Sequence, residues 1–241
     1  MPRFYVPSDL SNGTALALPD NVVRHLNVLR IKPGEEIVLF NGNGNSYSAR
    51  LNRLEKRAAE AEITGESPAN NESPLNITLI QSISSGERMD FTLQKSVELG
   101  VSRIQPVLSE RCVVRLGGER ADKRVARWQE IVISACEQSG RNTVPEVLPI
   151  LHFQTALKQL KPTSLKLLMS LNQARSLKDV ADKPSDITFM VGPEGGWTPE
   201  EEQQAFDAGF QAVTLGKRIL RTETASLAAI AAMQTLWGDF V

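Results

Sequence analysis

Cysteine and histidine are scarce in this chain, with two of each in 241 residues. Cys112 and Cys136 cannot build a disulfide framework or a four-cysteine zinc site. With only His25 and His152 beside them, no metal centre is expected. Net charge is nearly absent too: 27 Lys and Arg face 28 Asp and Glu, for a formal charge of −1. That excludes a highly basic nucleic-acid coat but leaves room for a local basic face. No stretch approaches the ~20 apolar residues that span a bilayer. The opening Met1-Pro2-Arg3-Phe4-Tyr5-Val6-Pro7 carries no apolar core of signal-peptide length. A soluble, cytoplasmic protein with no membrane segment is expected. Apolar residues at 41% and charged residues at 23% are ordinary globular usage, so wholesale disorder is not expected.

Two kinds of pattern follow one another along the chain. In the first seventy residues the runs are short and strand-like. Glu36-Ile37-Val38-Leu39-Phe40 leads into Asn41-Gly42-Asn43-Gly44, Tyr47 to Leu54 follows, and Ala59 to Thr64 ends at Gly65. Asn-Gly pairs supply the positive φ of tight hairpin turns. One helix precedes them, since Val22, Val23, Leu26 and Leu29 recur at helical spacing behind Pro19 and Asp20. This reads as a small β-barrel-like module with an inserted helix. The polar stretch from Glu66 to Pro74, without periodicity, reads as a linker. Beyond it strands and helices alternate. Strands are expected over Leu75–Ser82, Arg103–Leu108, Leu165–Leu171, Ile187–Val191 and Ala212–Leu215. Helices are expected over Arg88–Leu99, Arg120–Gln138, Pro199–Ala208 and Thr224–Trp237, with Gly100, Gly140, Gly209 and Gly238 as left-handed stops. Apolar strands alternating with helices argue for an α/β fold on a parallel sheet. The expected domains are residues 1–72 and 73–241.

Chemistry points to the loops after the later strands. Val191-Gly192-Pro193-Glu194-Gly195-Gly196-Trp197-Thr198 joins an apolar strand to a helix opened by a Thr198/Glu201 capping box with Pro199 in its first position. The glycines let a ligand approach bare backbone, at the carboxyl end of a strand where parallel α/β folds bind ligands. A ligand-free connection is the commoner use of such a loop. Neither a GxGxxG nor a GxxxxGK[ST] pattern is present, so no dinucleotide or ATP site is indicated. The second loop, Leu215-Gly216-Lys217-Arg218-Ile219-Leu220-Arg221-Thr222-Glu223-Thr224-Ala225, leads into a small-residue helix that Thr222 or Thr224 could cap. Ile219 and Leu220 either anchor this loop or wall a pocket for a planar ring. Between Arg103 and Arg127, seven bases stand against three acids. This is a solvated helix face unless other evidence points to RNA. Lys95 with Glu98 fits an i,i+3 ion pair, and Arg141 a helix-end charge.

The motifs together closely resemble the RsmE family, the 16S ribosomal RNA uracil-N3 methyltransferases of the SPOUT superfamily. The two loops above match the family's C-terminal signatures. Arg3-Phe4-Tyr5, His25 to Arg30 with Gly34, Glu98-Leu99-Gly100-Val101, Ser109-Glu110-Arg111 and Glu137-Gln138-Ser139-Gly140-Arg141 are family-like in the same order. The resemblance implies an N-terminal PUA-like RNA-binding barrel and a C-terminal SPOUT domain with a trefoil knot. It also implies S-adenosylmethionine as methyl donor, a homodimer, and 16S rRNA in the small ribosomal subunit as substrate. Leu171, Gly192, Glu194, Gly195, Gly196, Leu215, Gly216, Ile219 and Leu220 are then the donor-site residues. Arg221 would stabilise charge on the uracil, while Glu194 or Glu223 takes the N3 proton, unless Glu223 only answers the helix dipole. Arg3, Arg30, Lys95, Arg111, Arg115, Arg124 and Arg141 are the expected RNA contacts. Two rival readings are a non-catalytic RNA-binding or ribosome-assembly module, and a SPOUT methyltransferase acting on another RNA base.

Overall fold

The computed structural model of the protein describes residues 1–68, 71–114, 116–160, 165–180 and 183–240. The chain divides into two compact units. The first comprises Met1–Glu72 together with Cys136–Val144. Its sheet runs in the order β1-β3-β4-β5-β2, from β1 (Arg3–Tyr5), β2 (Ala15–Ala17), β3 (Glu36–Phe40), β4 (Asn45–Leu54) and β5 (Ala59–Pro68). The β3–β4 hairpin turns through Gly42 and Gly44, both at φ +93°, a conformation that costs glycine nothing. Alternation does the rest: Ile37, Leu39, Ala49, Leu51, Ala61 and Ile63 point inward onto Val22, Val23 and Leu26 of α1 (Asp20–Leu29). The expected linker starts too early. Tyr47 pairs with Glu66 and Asn45 with Pro68, so ladder hydrogen bonding carries β5 through the polar residues that sequence pattern reads as loop.

Residues 136–144 belong to this unit through polar contacts. The Tyr5 N–H donates to Glu137 at 3.0 Å, Arg3 pairs with Asn142 and stacks over Phe40, and Arg141 pairs with Glu72. Burial pushes the Cys136 thiol up to about 12, which leaves it a protonated packing group.

The second unit, Ser73–Ala135 with Pro145–Val241, is a parallel α/β layer structure. Its elements are β6 (Asn76–Ser82), α2 (Gly86–Glu98), β7 (Arg103–Leu108), α3 (Glu119–Ser139, whose last turn lies in the first unit), β8 (Glu146–Val147), β9 (Leu151–His152) and α4 (Phe153–Lys158). There follow β10 (Leu165–Met169), β11 (Arg175–Ser176), a 3-10 turn (Leu177–Asp179), β12 (Asp186–Val191), α5 (Pro199–Asp207), β13 (Gln211–Thr214) and α6 (Thr222–Trp237). The sheet order is β11-β13-β10-β12-β6-β7-β8, with β9 beside β7, and every pairing is parallel. Central strands β6 and β12 are apolar because both faces are covered: Ile77, Leu79, Ile80, Ile187, Phe189 and Met190 are all buried. Among the described residues no helix is long and apolar enough to cross a membrane.

Three local expectations change. Helix α6 begins at Thr222 with Arg221 in the capping position, and no side chain caps it. Gly238 is not left-handed, at φ −108°. A Cβ there would collide with the Gln234 side chain, so close approach rather than turn geometry favours the glycine. The other three stops, Gly100, Gly140 and Gly209, do take positive φ.

Candidate active site

Three loops at the carboxyl ends of β10, β12 and β13 enclose one cavity of about 810 Å³. All nine residues expected at the donor site border it: Leu171 after β10; Gly192, Glu194, Gly195 and Gly196 after β12; Leu215, Gly216, Ile219 and Leu220 after β13. Ala225 and Ala228 of α6 also border it. Ile219 is 86% exposed at the rim, so it does not anchor its loop. That size lies within the range of small-molecule sites.

The β12–α5 loop is held by specific bonds. Thr198 Oγ1 accepts from the Glu201 N–H at 3.2 Å, and Glu201 accepts from the Thr198 N–H at 3.0 Å, completing the capping box. The other Glu201 oxygen accepts from the Glu110 N–H at 2.8 Å. Arg111 donates to the carbonyls of Gly195 and Trp197 at 3.0 and 3.1 Å. The Ser109–Cys112 segment therefore straps the glycine loop, and the Arg111 Nη1 that sequence assigns to RNA is spent on loop carbonyls. The glycines serve this packing. A Cβ on Gly195 would come within 3.2 Å of Arg111, and one on Gly192 within 3.3 Å of the Trp197 indole. Gly216, at φ +142°, faces open space.

The candidate catalytic groups separate. Arg221 is exposed and borders the cavity, and its guanidinium has no hydrogen-bond or ion-pair partner among the described residues. Glu194 also borders it, but accepts from the Ser85 N–H (3.1 Å), the Ser85 hydroxyl (3.3 Å) and Arg88 (3.2 Å). Burial pushes its carboxyl pKa up. Hydrogen bonds from its own backbone, Ser85 and Arg88 outweigh that and leave it below the ordinary 4.5. Glu223 lies outside the cavity lining, with its Oε2 buried and unpartnered.

Sequence reasoning missed Arg88 and Glu202. Glu202 borders the cavity and accepts from Ser170 (2.6 Å) and Asn172 (3.2 Å). It sits in the acidic first turn Glu200–Glu202, which reads as a response to the helix dipole and so hides its second use. Arg88 carries no local signal, because its partner lies 106 residues away.

The expected RNA residues also divide. Arg30 is exposed at the left-handed end of α1, and Arg124 lies on α3 beside exposed Arg120 and Lys123. Lys95 is paired with Glu98 at 2.7 Å. Arg141 is 5% exposed and committed to Glu72, so it does not present its charge to a polyanion, and Arg3 is half-buried against Phe40 and Asn142. Arg115 lies outside the described residues.

Residues 71–234 match the family model described as an RNA methyltransferase domain, and residues 18–64 match an RNA methyltransferase PUA domain. The ribosomal RNA small subunit methyltransferase E of Buchnera aphidicola subsp. Schizaphis graminum is 33% identical over 99% of this chain and 98% of its own length. Among solved structures, the ribosomal RNA small subunit methyltransferase E of Neisseria gonorrhoeae, bound to S-adenosyl methionine, is 70% identical with a TM-score of 0.97 over all of both chains. A Legionella pneumophila protein in complex with the cofactor SAM is 38% identical, with a TM-score of 0.96 over 99% and 98% of the two chains. With its signature loops gathered on one cavity and this likeness running the length of the chain, the protein belongs to the ribosomal RNA small subunit methyltransferase E family.

Proposed function

We propose that this protein transfers a methyl group from S-adenosylmethionine to N3 of a uridine in the 16S rRNA of the small ribosomal subunit. The observation that carries the reading is the cavity itself, where two signature loops and Leu171 meet at the carboxyl ends of parallel strands. Its size, its backbone-rich glycine wall and the apolar Leu171, Leu215, Ile219 and Leu220 suit a nucleoside-bearing donor. The donor supplies an electrophilic methyl group on a sulfonium.

The chain must do the rest. Uracil N3 carries a proton and is a poor nucleophile until that proton leaves, so the site has to align N3 and favour the ring anion. The Arg221 guanidinium, at the cavity edge with no partner among the described residues, stabilises negative charge on the uracil oxygens. Its electrostatic help reduces the need for a strong base. Of the two carboxylates, Glu194 is the one at the cavity, and its depressed pKa makes it a weak proton acceptor. Glu223 is the weaker candidate because it stands off the lining. The RNA is held by Arg30 in the PUA-like domain (residues 1–72) and by the Arg120–Arg127 face of α3 in the methyltransferase domain (73–241).

The donor loops belong to a trefoil-knotted SPOUT domain that pairs as a homodimer through α6, and the enzyme works in the cytoplasm. Supporting this, α6 offers small residues Ala228, Ala231 and Ala232 that no described element fully buries. The test is methylation of purified small subunits and of naked 16S rRNA with labelled donor, read nucleotide by nucleotide with mass spectrometry. One N3-methyluridine in the small subunit is the expected product. Methylation of another base, or none despite donor binding, would overturn the reading.

A further inference from the structure

A glutamine sits where the core would take leucine. Gln81 is the penultimate residue of the central strand β6 and is fully buried, with register placing it opposite Val191 of β12. Burying a side-chain amide is unfavourable unless its groups find partners. Here they do. Nε2 donates to the Ser82 carbonyl at 3.0 Å and to Thr222 Oγ1 at 3.1 Å, and Oε1 accepts from the Ser226 hydroxyl at 2.6 Å.

The direction of this chain follows from its ends. The Ser82 carbonyl can only accept, so the NH₂ group must face it and the amide cannot be flipped. Thr222 Oγ1 then receives an N–H, and its single proton goes to the Gly192 carbonyl at 2.6 Å. Gly192 precedes Pro193, which has no N–H, so this carbonyl bond holds the loop at its exit from β12. Thr222 opens α6 directly after Arg221. One buried amide of the sheet therefore ties both signature loops together.

We infer that Gln81 is a positioning residue for the methyl-transfer site, acting through Thr222 to hold Gly192 and Arg221 in mutual register. A purely space-filling role would need no polar chain, because methionine fills the same volume with no partners to satisfy. The inference rests on the proposed function only for its catalytic consequence, since the coupling of the loops is a property of the free protein.

The test compares Gln81→Met, Thr222→Val, the double variant and Thr222→Ser. Hydrogen–deuterium exchange is followed over residues 192–197 and 217–224 without ligand, then S-adenosylmethionine affinity and turnover are measured. Both single variants should speed exchange in both loops and weaken donor affinity by about tenfold, the scale of one unmade buried hydrogen bond. The double variant should be no worse than the worse single, because both cut one chain. Thr222→Ser keeps the hydroxyl and should recover most of the loss. Unchanged exchange, additive losses, or a serine variant as impaired as valine would each overturn the inference. If Gln81→Met does not fold, the valine–serine comparison decides alone. Exchange needs no donor, so wild-type protein that fails to bind S-adenosylmethionine would refute the proposed function and leave this result readable.

Discussion

Arg221 and Glu194 share a cavity but not an environment, and that difference sets what each can do. The guanidinium is exposed and has no partner among the described residues, whereas the carboxylate is engaged by Ser85 and Arg88. Arg221→Ala should keep donor binding, since only a solvent-facing side chain is removed, and should lose on the order of a hundredfold or more in turnover. Calorimetry and single-turnover rates on one preparation check both halves, and parallel losses would assign Arg221 to structure. The Glu194 pKa is depressed, so the stabilisation its bonds supply is present above the unfolded value near 4.5 and is lost as pH falls through the lower folded value. Carboxyl NMR should find its midpoint below 4.5 and moved upward in Arg88→Ala. The capping box, the Lys95–Glu98 pair and the loop residues that border the cavity were legible in sequence because each is local or motif-bound. Arg111 was not. Its charge advertises a polyanion, and only the fold shows Nη1 bonded to two loop carbonyls.

The β12–α5 loop and α3 carry the consequences one level up. Since the Gly195 Cβ direction is occupied by Arg111, Gly195→Val should abolish donor binding by dislodging the strap, while far-ultraviolet circular dichroism stays native. Wild-type affinity in that variant would show that the strap does not shape the site. On α3, Arg127 already pairs with Asp90 at 2.7 Å, so Arg120, Lys123 and Arg124 are the freer charges, Lys123 having only a distant partner in Glu119 at 3.9 Å. Replacing these three with glutamine should weaken RNA binding and flatten its salt dependence by roughly one counterion per lost contact, with donor affinity unchanged. A salt slope equal to wild type would return this face to ordinary solvation.

Assembly is expected to complete the enzyme. Light scattering should show a homodimer at micromolar concentration, and Ala231→Arg on α6 should shift it to monomer, because a two-fold seam meets that residue twice. A wild-type monomer would defeat the dimer. Periodicity and turn chemistry were enough to read the strand–helix alternation, the hairpin at Gly42–Gly44 and the two glycine loops, because those signals repeat within a few residues. They could not order the strands. Placing β12 between β10 and β6 depends on pairings up to 110 residues apart, which no local pattern encodes. The same distance hides the Arg88–Glu194 pair, the membership of Cys136–Val144 in the first unit and the Gln81–Thr222–Gly192 chain. Hydrophobic spacing records which face of an element is buried. Which distant element covers that face, and which polar groups must then satisfy one another, is decided only when the chain has packed.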